Sequence, residues 1–163
     1  MMVTRDMFLP DALDTAALAG ALAASQPPLA VVHLHGDLGA GKSTLARAWL
    51  RALGVTGPVR SPTYTLVERY PLQTGGEALH LDLYRIGDAG ELEFLGLDDA
   101  DARLWLVEWP ERGLGALPPP DLEVRLAMQG AGRHCQVAFP GAGGAMWLDR
   151  FDHECRLRGL PEP

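Results

Sequence analysis

One stretch of this 163-residue chain restricts local geometry more than any other: Gly36-Asp37-Leu38-Gly39-Ala40-Gly41-Lys42-Ser43. Glycine, four residues, then Gly-Lys-Ser is the spacing of a phosphate-binding loop. Lys42 is the only lysine in the chain; every other basic side chain is arginine or histidine. Glycines let successive backbone N–H groups curl inward around an anion. An ammonium reaches the β- and γ-phosphates as a mobile point charge, which a planar guanidinium does poorly. The Ser43 hydroxyl suits Mg²⁺, whose other ligands are mostly phosphate oxygens and water. Asp37, Leu38, Gly39, Ala40, Gly41, Lys42, Ser43 and Thr44 are therefore the expected nucleotide contacts.

Such a loop must follow a buried strand and open a helix. Residues 29–35, Leu-Ala-Val-Val-His-Leu-His, form a short apolar run of the kind a buried parallel strand needs. After the loop, Leu45, Trp49, Leu50 and Leu53 fall on one helical face, and Gly54 stops the helix. The helix N-terminus then points its partial positive charge at the phosphates.

A nucleotide hydrolase also needs a carboxylate at the end of a second strand near the loop. Two segments offer one: Leu104-Trp105-Leu106-Val107-Glu108 and Leu79-His80-Leu81-Asp82. The bland alternative for either acid is a cap or a surface ion pair. His80 shares a strand face with Asp82 and could orient it, although a lone strand histidine is more often simply packed. Ser61-Pro62-Thr63-Tyr64-Thr65 lies between the loop's helix and the next strand. In phosphate-loop proteins this connection often becomes a switch ordered by the γ-phosphate and Mg²⁺. An ordinary Ser-Pro turn is the equally weighted alternative.

Net charge is −7. An acidic chain is a poor candidate for direct tight binding of nucleic acid, since that affinity comes largely from neutralising phosphates. Any RNA is expected to be held by a partner. Cys135 and Cys155 lack metal-ligand spacing and read as reduced cytosolic thiols. Residues 1–10 hold Arg5 and Asp6 and no apolar core, so no secretory leader is expected. No apolar run approaches a membrane span. The chain has no asparagine and so lacks the Asn-Lys-x-Asp guanine reader; adenine is the expected base.

Elsewhere the sequence predicts a strand over 3–9 and a helix over 14–24 capped by Asp14 or Thr15. A hairpin is expected from strands 63–72 and 79–84, and a short helix from Asp88 to Phe94 closed by Gly96. Strand 103–109 should follow. A second hairpin, Leu122–Met128 with Cys135–Phe139, is expected at a sheet edge. A flexible stretch over 141–145 and a terminal helix over 146–159 complete the reading. No arginine is obviously placed to neutralise charge on a γ-phosphate.

Taken in order, the loop with Thr44, Ser61-Pro62-Thr63-Tyr64-Thr65-Leu66-Val67, Asp82-Leu83-Tyr84-Arg85, Glu91-Leu92-Glu93-Phe94-Leu95-Gly96 and Leu106-Val107-Glu108-Trp109-Pro110-Glu111 resemble the TsaE family. These are bacterial ATPases of tRNA threonylcarbamoyladenosine biosynthesis. The resemblance runs over about residues 12–140, and the later motifs are more specific than the loop. It implies an α/β, P-loop NTPase-like mixed sheet flanked by helices, with antiparallel hairpins. Residues 1–140 would form a single ATPase domain and 141–163 a C-terminal extension, either a short helix or flexible. It further implies a cytoplasmic, Mg²⁺-dependent ATPase working with TsaB and TsaD, touching tRNA only through them. TsaD transfers the threonylcarbamoyl group; the ATPase resets the partner complex between turnovers. Carried over by motif, Lys42 contacts phosphates, Ser43 and Glu108 hold Mg²⁺, and Ser61, Pro62, Thr63, Tyr64 and Thr65 form the switch loop. Asp82 is the candidate for positioning the attacking water, and Trp109 packs near nucleotide or partner. The family more often has threonine at position 43; serine keeps the hydroxyl. Competing functions are a small-molecule kinase and a nucleotide-gated binding module with negligible hydrolysis.

Overall fold

Alternation along the strand before the loop decides which side of the molecule becomes core. In a computed structural model describing residues 2–160, this strand, β2, is Ala30–His35. Val32 and Leu34 are fully buried on one face, and His33 and His35 take the other. The remaining strands are β1 (Thr4–Leu9), β3 (Val67–Pro71), β4 (Glu77–Asp82), β5 (Ala102–Glu108), β6 (Leu122–Gln129) and β7 (Gly132–Ala138). They form one mixed sheet in the order β1-β7-β6-β2-β5-β4-β3. β2 is central and runs parallel to both β5 and β6, and β4 runs parallel to β5.

Helices α1 (Ala12–Ser25), α2 (Lys42–Ala52) and α3 (Gly144–Leu157) cover the face that carries Val32 and Leu34. The opposite face is covered more thinly, by 3₁₀ helices at Ala89–Leu95 and Pro110–Gly113 over Leu79, Leu81 and Val107. Among the described residues, no helix is long and apolar enough to cross a membrane.

Several local expectations need correction. α1 begins earlier than expected, because the Asp11 carboxylate accepts from the N–H groups of Leu13 and Asp14 and so caps it; Asp14 lies in the first turn. Strand β3 begins only at Val67. The Leu66 N–H closes a turn onto the Pro62 carbonyl, and Leu66 has a left-handed φ of 67°. Ser61 and Thr63 hydroxyls bond each other at 2.8 Å, and Thr65 bonds Glu68 at 3.1 Å. Such local side-chain bonds compete with a sheet ladder, and here they win. Trp109 also leaves its strand, with φ 56°.

The β6–β7 hairpin is interior, not at an edge: β6 pairs with β2, and β1 adds antiparallel outside β7. Gly141–Gly144 is a hydrogen-bonded turn that opens α3. Trp147, Phe151 and Cys155, spaced by four, bury one stripe of α3. The Trp147 indole donates to Ser25 Oγ at 3.0 Å, and Arg150 donates to the Ser25 carbonyl at 2.9 Å. Residues 161–163 of the C-terminal segment lie outside the described residues.

Candidate functional site

Parallel pairing brings the carboxyl ends of three strands together. In register, Leu34 of β2 faces Glu108 of β5, and Glu108 faces Asp82 of β4. The loop between β2 and α2 curls over these ends, which is where open α/β sheets place ligands. Two glycines make the curl possible. Gly36 has φ 151°, and a Cβ there would meet the Leu126 carbonyl oxygen at 2.6 Å. Gly41 caps α2 with φ 106°. The first N–H groups of α2, which have no intrahelical acceptor, then point out of the helix end.

A cavity of about 320 Å³ lies over this loop. All eight residues from Asp37 to Thr44 line it, together with Thr63, Asp82, Tyr84, Glu108, Trp109 and Arg133. A larger cavity of about 610 Å³, between β1 and the start of α3, has Arg5 and Asp152 in its wall paired with each other. The chemistry favours the smaller one.

Lys42 is 4% exposed. Its ammonium donates to the carbonyls of Gly36 and Asp37, the latter at 3.2 Å, and sits 4.1 Å from the centre of the Trp109 ring. Burial lowers its pKa below the ordinary lysine value, while Glu108, Asp82, Glu111 and Asp37 pull it back up. The left-handed Trp109 backbone brings the indole to this position, where it also packs on Tyr84 at 5.0 Å between ring centres.

The Ser43 hydroxyl donates to both carboxylate oxygens of Glu108, at 2.9 and 3.0 Å. Neighbouring ligands around an octahedral Mg²⁺ stand about 2.9 Å apart, given metal–oxygen distances near 2.1 Å. This all-oxygen pair therefore fits a hard divalent cation. His80, fully buried, meets Glu108 Oε2 at 2.6 Å. Of the two readings of His80, simple packing or orienting Asp82, neither names the partner found: His80 holds Glu108. The reason is register, since His80 and Glu108 point to the same side of adjacent strands near their common end. Asp82 accepts from the Tyr84 N–H at 3.0 Å. Burial, aided by Glu108, pushes its carboxyl above the usual carboxylate range, against the Tyr84 hydrogen bond, His80 and Lys42.

Of the five residues expected in a switch loop, Thr63 alone reaches the cavity wall. Tyr64 is 81% exposed, and the Arg85 guanidinium lies 4.6 Å from its ring centre. Tyr84 and Arg133 line the cavity without having been expected in the site, and Arg133 is the one that holds the loop. From the start of β7 its guanidinium donates to the carbonyls of Ala40 at 3.0 Å and Gly39 at 3.2 Å. No local signal marks it, because its position depends on strand order.

A family model described as "Threonylcarbamoyl adenosine biosynthesis protein TsaE" matches residues 9–135. This chain belongs to the TsaE family. It is 50% identical over 99 residues to the tRNA threonylcarbamoyladenosine biosynthesis protein TsaE of Haemophilus influenzae, a match spanning 59% of this chain and 61% of that protein, under two thirds of its length. It is 35% identical to the Bacillus subtilis TsaE over 137 residues, covering 80% of this chain and 81% of that one. The crystal structure of YdiB from Bacillus subtilis superposes with a TM-score of 0.75 at 26% identity, covering 94% of this chain and 97% of the other. The matched span contains the whole loop, residues 61–65, Asp82, Glu108, Trp109 and Arg133.

Proposed function

We propose that this chain binds ATP with Mg²⁺ on the 36–43 loop, hydrolyses it slowly, and uses nucleotide state to regulate or reset a TsaB–TsaD pair in the cytoplasm. tRNA is then reached only through those partners. The observation that carries the reading is the Ser43–Glu108 contact inside the cavity that also holds Lys42 and Asp82.

Each residue has a task that follows from its surroundings. Loop N–H groups and the α2 N-terminus bind phosphate oxygens. Lys42, held by loop carbonyls and Trp109, adds the fixed cation. Ser43 and Glu108 hold Mg²⁺, and His80 fixes the Glu108 carboxylate as an outer partner would. Bound there, Mg²⁺ would supply charge neutralisation to the nucleotide phosphates. Asp82, the acid that does not accept from the Ser43 hydroxyl, orients the attacking water. Arg133 braces the loop from β7, its guanidinium being engaged by the Gly39 and Ala40 carbonyls. Further charge neutralisation on the γ-phosphate is left to a partner, a contribution worth large factors in rate.

The test uses purified protein with ATP and Mg²⁺, with and without TsaB and TsaD. Slow turnover alone, acceleration on mixing, and ATP-dependent association are expected. Absence of turnover under every condition would reject the hydrolase reading. Association indifferent to nucleotide, with no rate change, would reject the switch.

A further inference from the structure

On the face of the sheet away from the α-helices, β2 and β6 place three ligand-bearing side chains together. His33 and His35 alternate outward from β2, and Glu123 lies opposite His33 in the parallel ladder. One ligand atom from each lies within 4.8 Å of the other two. We infer that His33, His35 and Glu123 form a binding site for a late first-row divalent cation, Zn²⁺ being the probe. The site is separate from the Ser43–Glu108 pair, which lies on the helix side of the sheet.

The strongest sign is an unpaired atom. His33 is 4% exposed, and its Nε2 is buried without a hydrogen-bond partner. A buried polar atom left unmade is costly, and native structures seldom tolerate one without a ligand or an ion. A tautomer with the proton on Nδ1 leaves Nε2 with the free lone pair, the state of a metal-ligating imidazole.

His35 differs in having a carboxylate near each ring nitrogen. Its Nε2 is 3.2 Å from Glu123 Oε1, and its Nδ1 is 3.8 Å from Glu111 Oε2. A cation entering between Nε2 and Glu123 would replace the shared proton, and Glu111 would need to close from 3.8 Å to serve Nδ1–H as the outer partner of a metal-bound histidine. Burial lowers the pKa of both imidazoles, which favours the neutral, ligand-competent form. Arg125 opposes the site: its guanidinium is 3.9 Å from Glu123 Oε1 and must yield if Glu123 turns fully to a cation. Two imidazoles and one carboxylate suit Zn²⁺ and its neighbours, with a fourth position for water or Glu111. Mg²⁺ and Ca²⁺ prefer all-oxygen sets and are poor candidates here.

The test is titration of the metal-stripped full chain with Zn²⁺ against a chromogenic chelator, without nucleotide. One equivalent should bind, and His35→Gln and Glu123→Gln should each weaken it at least tenfold. His134→Gln, at a half-buried histidine paired with Asp6, should bind as the parent does. X-ray absorption of the Zn²⁺-loaded parent chain should show imidazole nitrogen and carboxylate oxygen ligands without sulfur. This readout does not depend on any variant folding. No stoichiometric binding, binding unchanged in both site variants, or loss only in the His134 variant would overturn the site. So would a thiolate-bound zinc. Failure of ATP hydrolysis would leave this result unaffected, because nucleotide is absent from the assay.

Discussion

The two faces of the sheet are built for different work. The helix side buries a continuous aliphatic and aromatic layer, and admits charge only where β2, β4 and β5 end beneath the loop. There Lys42, His80, Asp82 and Glu108 lie at or below 7% exposure, and all but Asp82 have a side-chain or loop-carbonyl partner across the site. The other side has a smaller apolar cluster over β4 and β5, and beside it the His33–His35–Glu123 group. Among the described residues, each side keeps one buried ring nitrogen unpaired, His80 Nδ1 on the helix side and His33 Nε2 on the other. Thick cover holds a network of buried polar groups in fixed geometry. Under the thinner cover His33 is buried, but His35 and Glu123 stay half-buried, which is cheaper in desolvation but less exact in position.

The comparison is broken most forcefully by removing the helix-side cover. Trp147→Ala deletes a 1%-exposed indole that bonds Ser25, and should lower stability by about 3–5 kcal/mol, read by urea unfolding. A loss under 1 kcal/mol would mean that α3 is an appendage instead of part of the core. Next in size is Lys42→Ala. A folded variant should lose about 1.5–3 kcal/mol of ATP binding, the value of a charge-assisted phosphate contact. Wild-type hydrolysis by that variant would refute the site assignment.

Glu108→Gln and His80→Gln separate direct from supporting roles. Glu108→Gln should weaken Mg²⁺-dependent turnover more than Mg²⁺-free nucleotide binding. His80→Gln should raise the Mg²⁺ requirement roughly 10–100-fold, as loss of an outer partner does. If the His80 variant keeps the parent Mg²⁺ dependence, the 2.6 Å contact is merely packing.

The smallest effect has the opposite sign. Asp82 has its pKa raised by burial, so the folded state holds its proton to higher pH than the unfolded chain does. Above the folded pKa its charge costs stability, and that cost disappears as pH falls toward the unfolded value. Asp82→Asn should therefore make the fold slightly more stable at neutral pH and no different in strong acid, while slowing hydrolysis with little change in ATP affinity. Thermal melts at two pH values and steady-state kinetics check both halves. A less stable variant at neutral pH would show that the carboxylate is a structural anchor.

These outcomes bear on what could be read before any coordinates. The loop, its strand and its helix were legible because glycine spacing, β-branched residues and a 3.6-residue stripe all describe nearest neighbours in sequence. Glu108 was legible as an acid ending an apolar run. What escaped was relational. Pairing of His80 with Glu108 depends on the β4–β5 register, and Arg133 reaches the loop only because β7 lies two strands from β2. The interior hairpin was invisible for the same reason: alternation reveals a face but not a neighbour. Thr63 and Thr65 misled because these strand-forming residues spend their hydroxyls locally.

Strand order has one more consequence, and it concerns synthesis. β2 emerges early, yet its two neighbours, β5 and β6, begin only at Ala102 and Leu122, and β1 waits for β7 at Gly132. Until most of the chain has left the ribosome, the apolar Ala30–Leu34 segment has no partner on either edge. Nonlocal pairing of this kind folds slowly and exposes sticky strand edges meanwhile. The 36–43 loop thus gains its fixed base among the last events of folding, and a nascent chain stalled before Leu122 should need chaperone protection although the loop's own sequence is already complete.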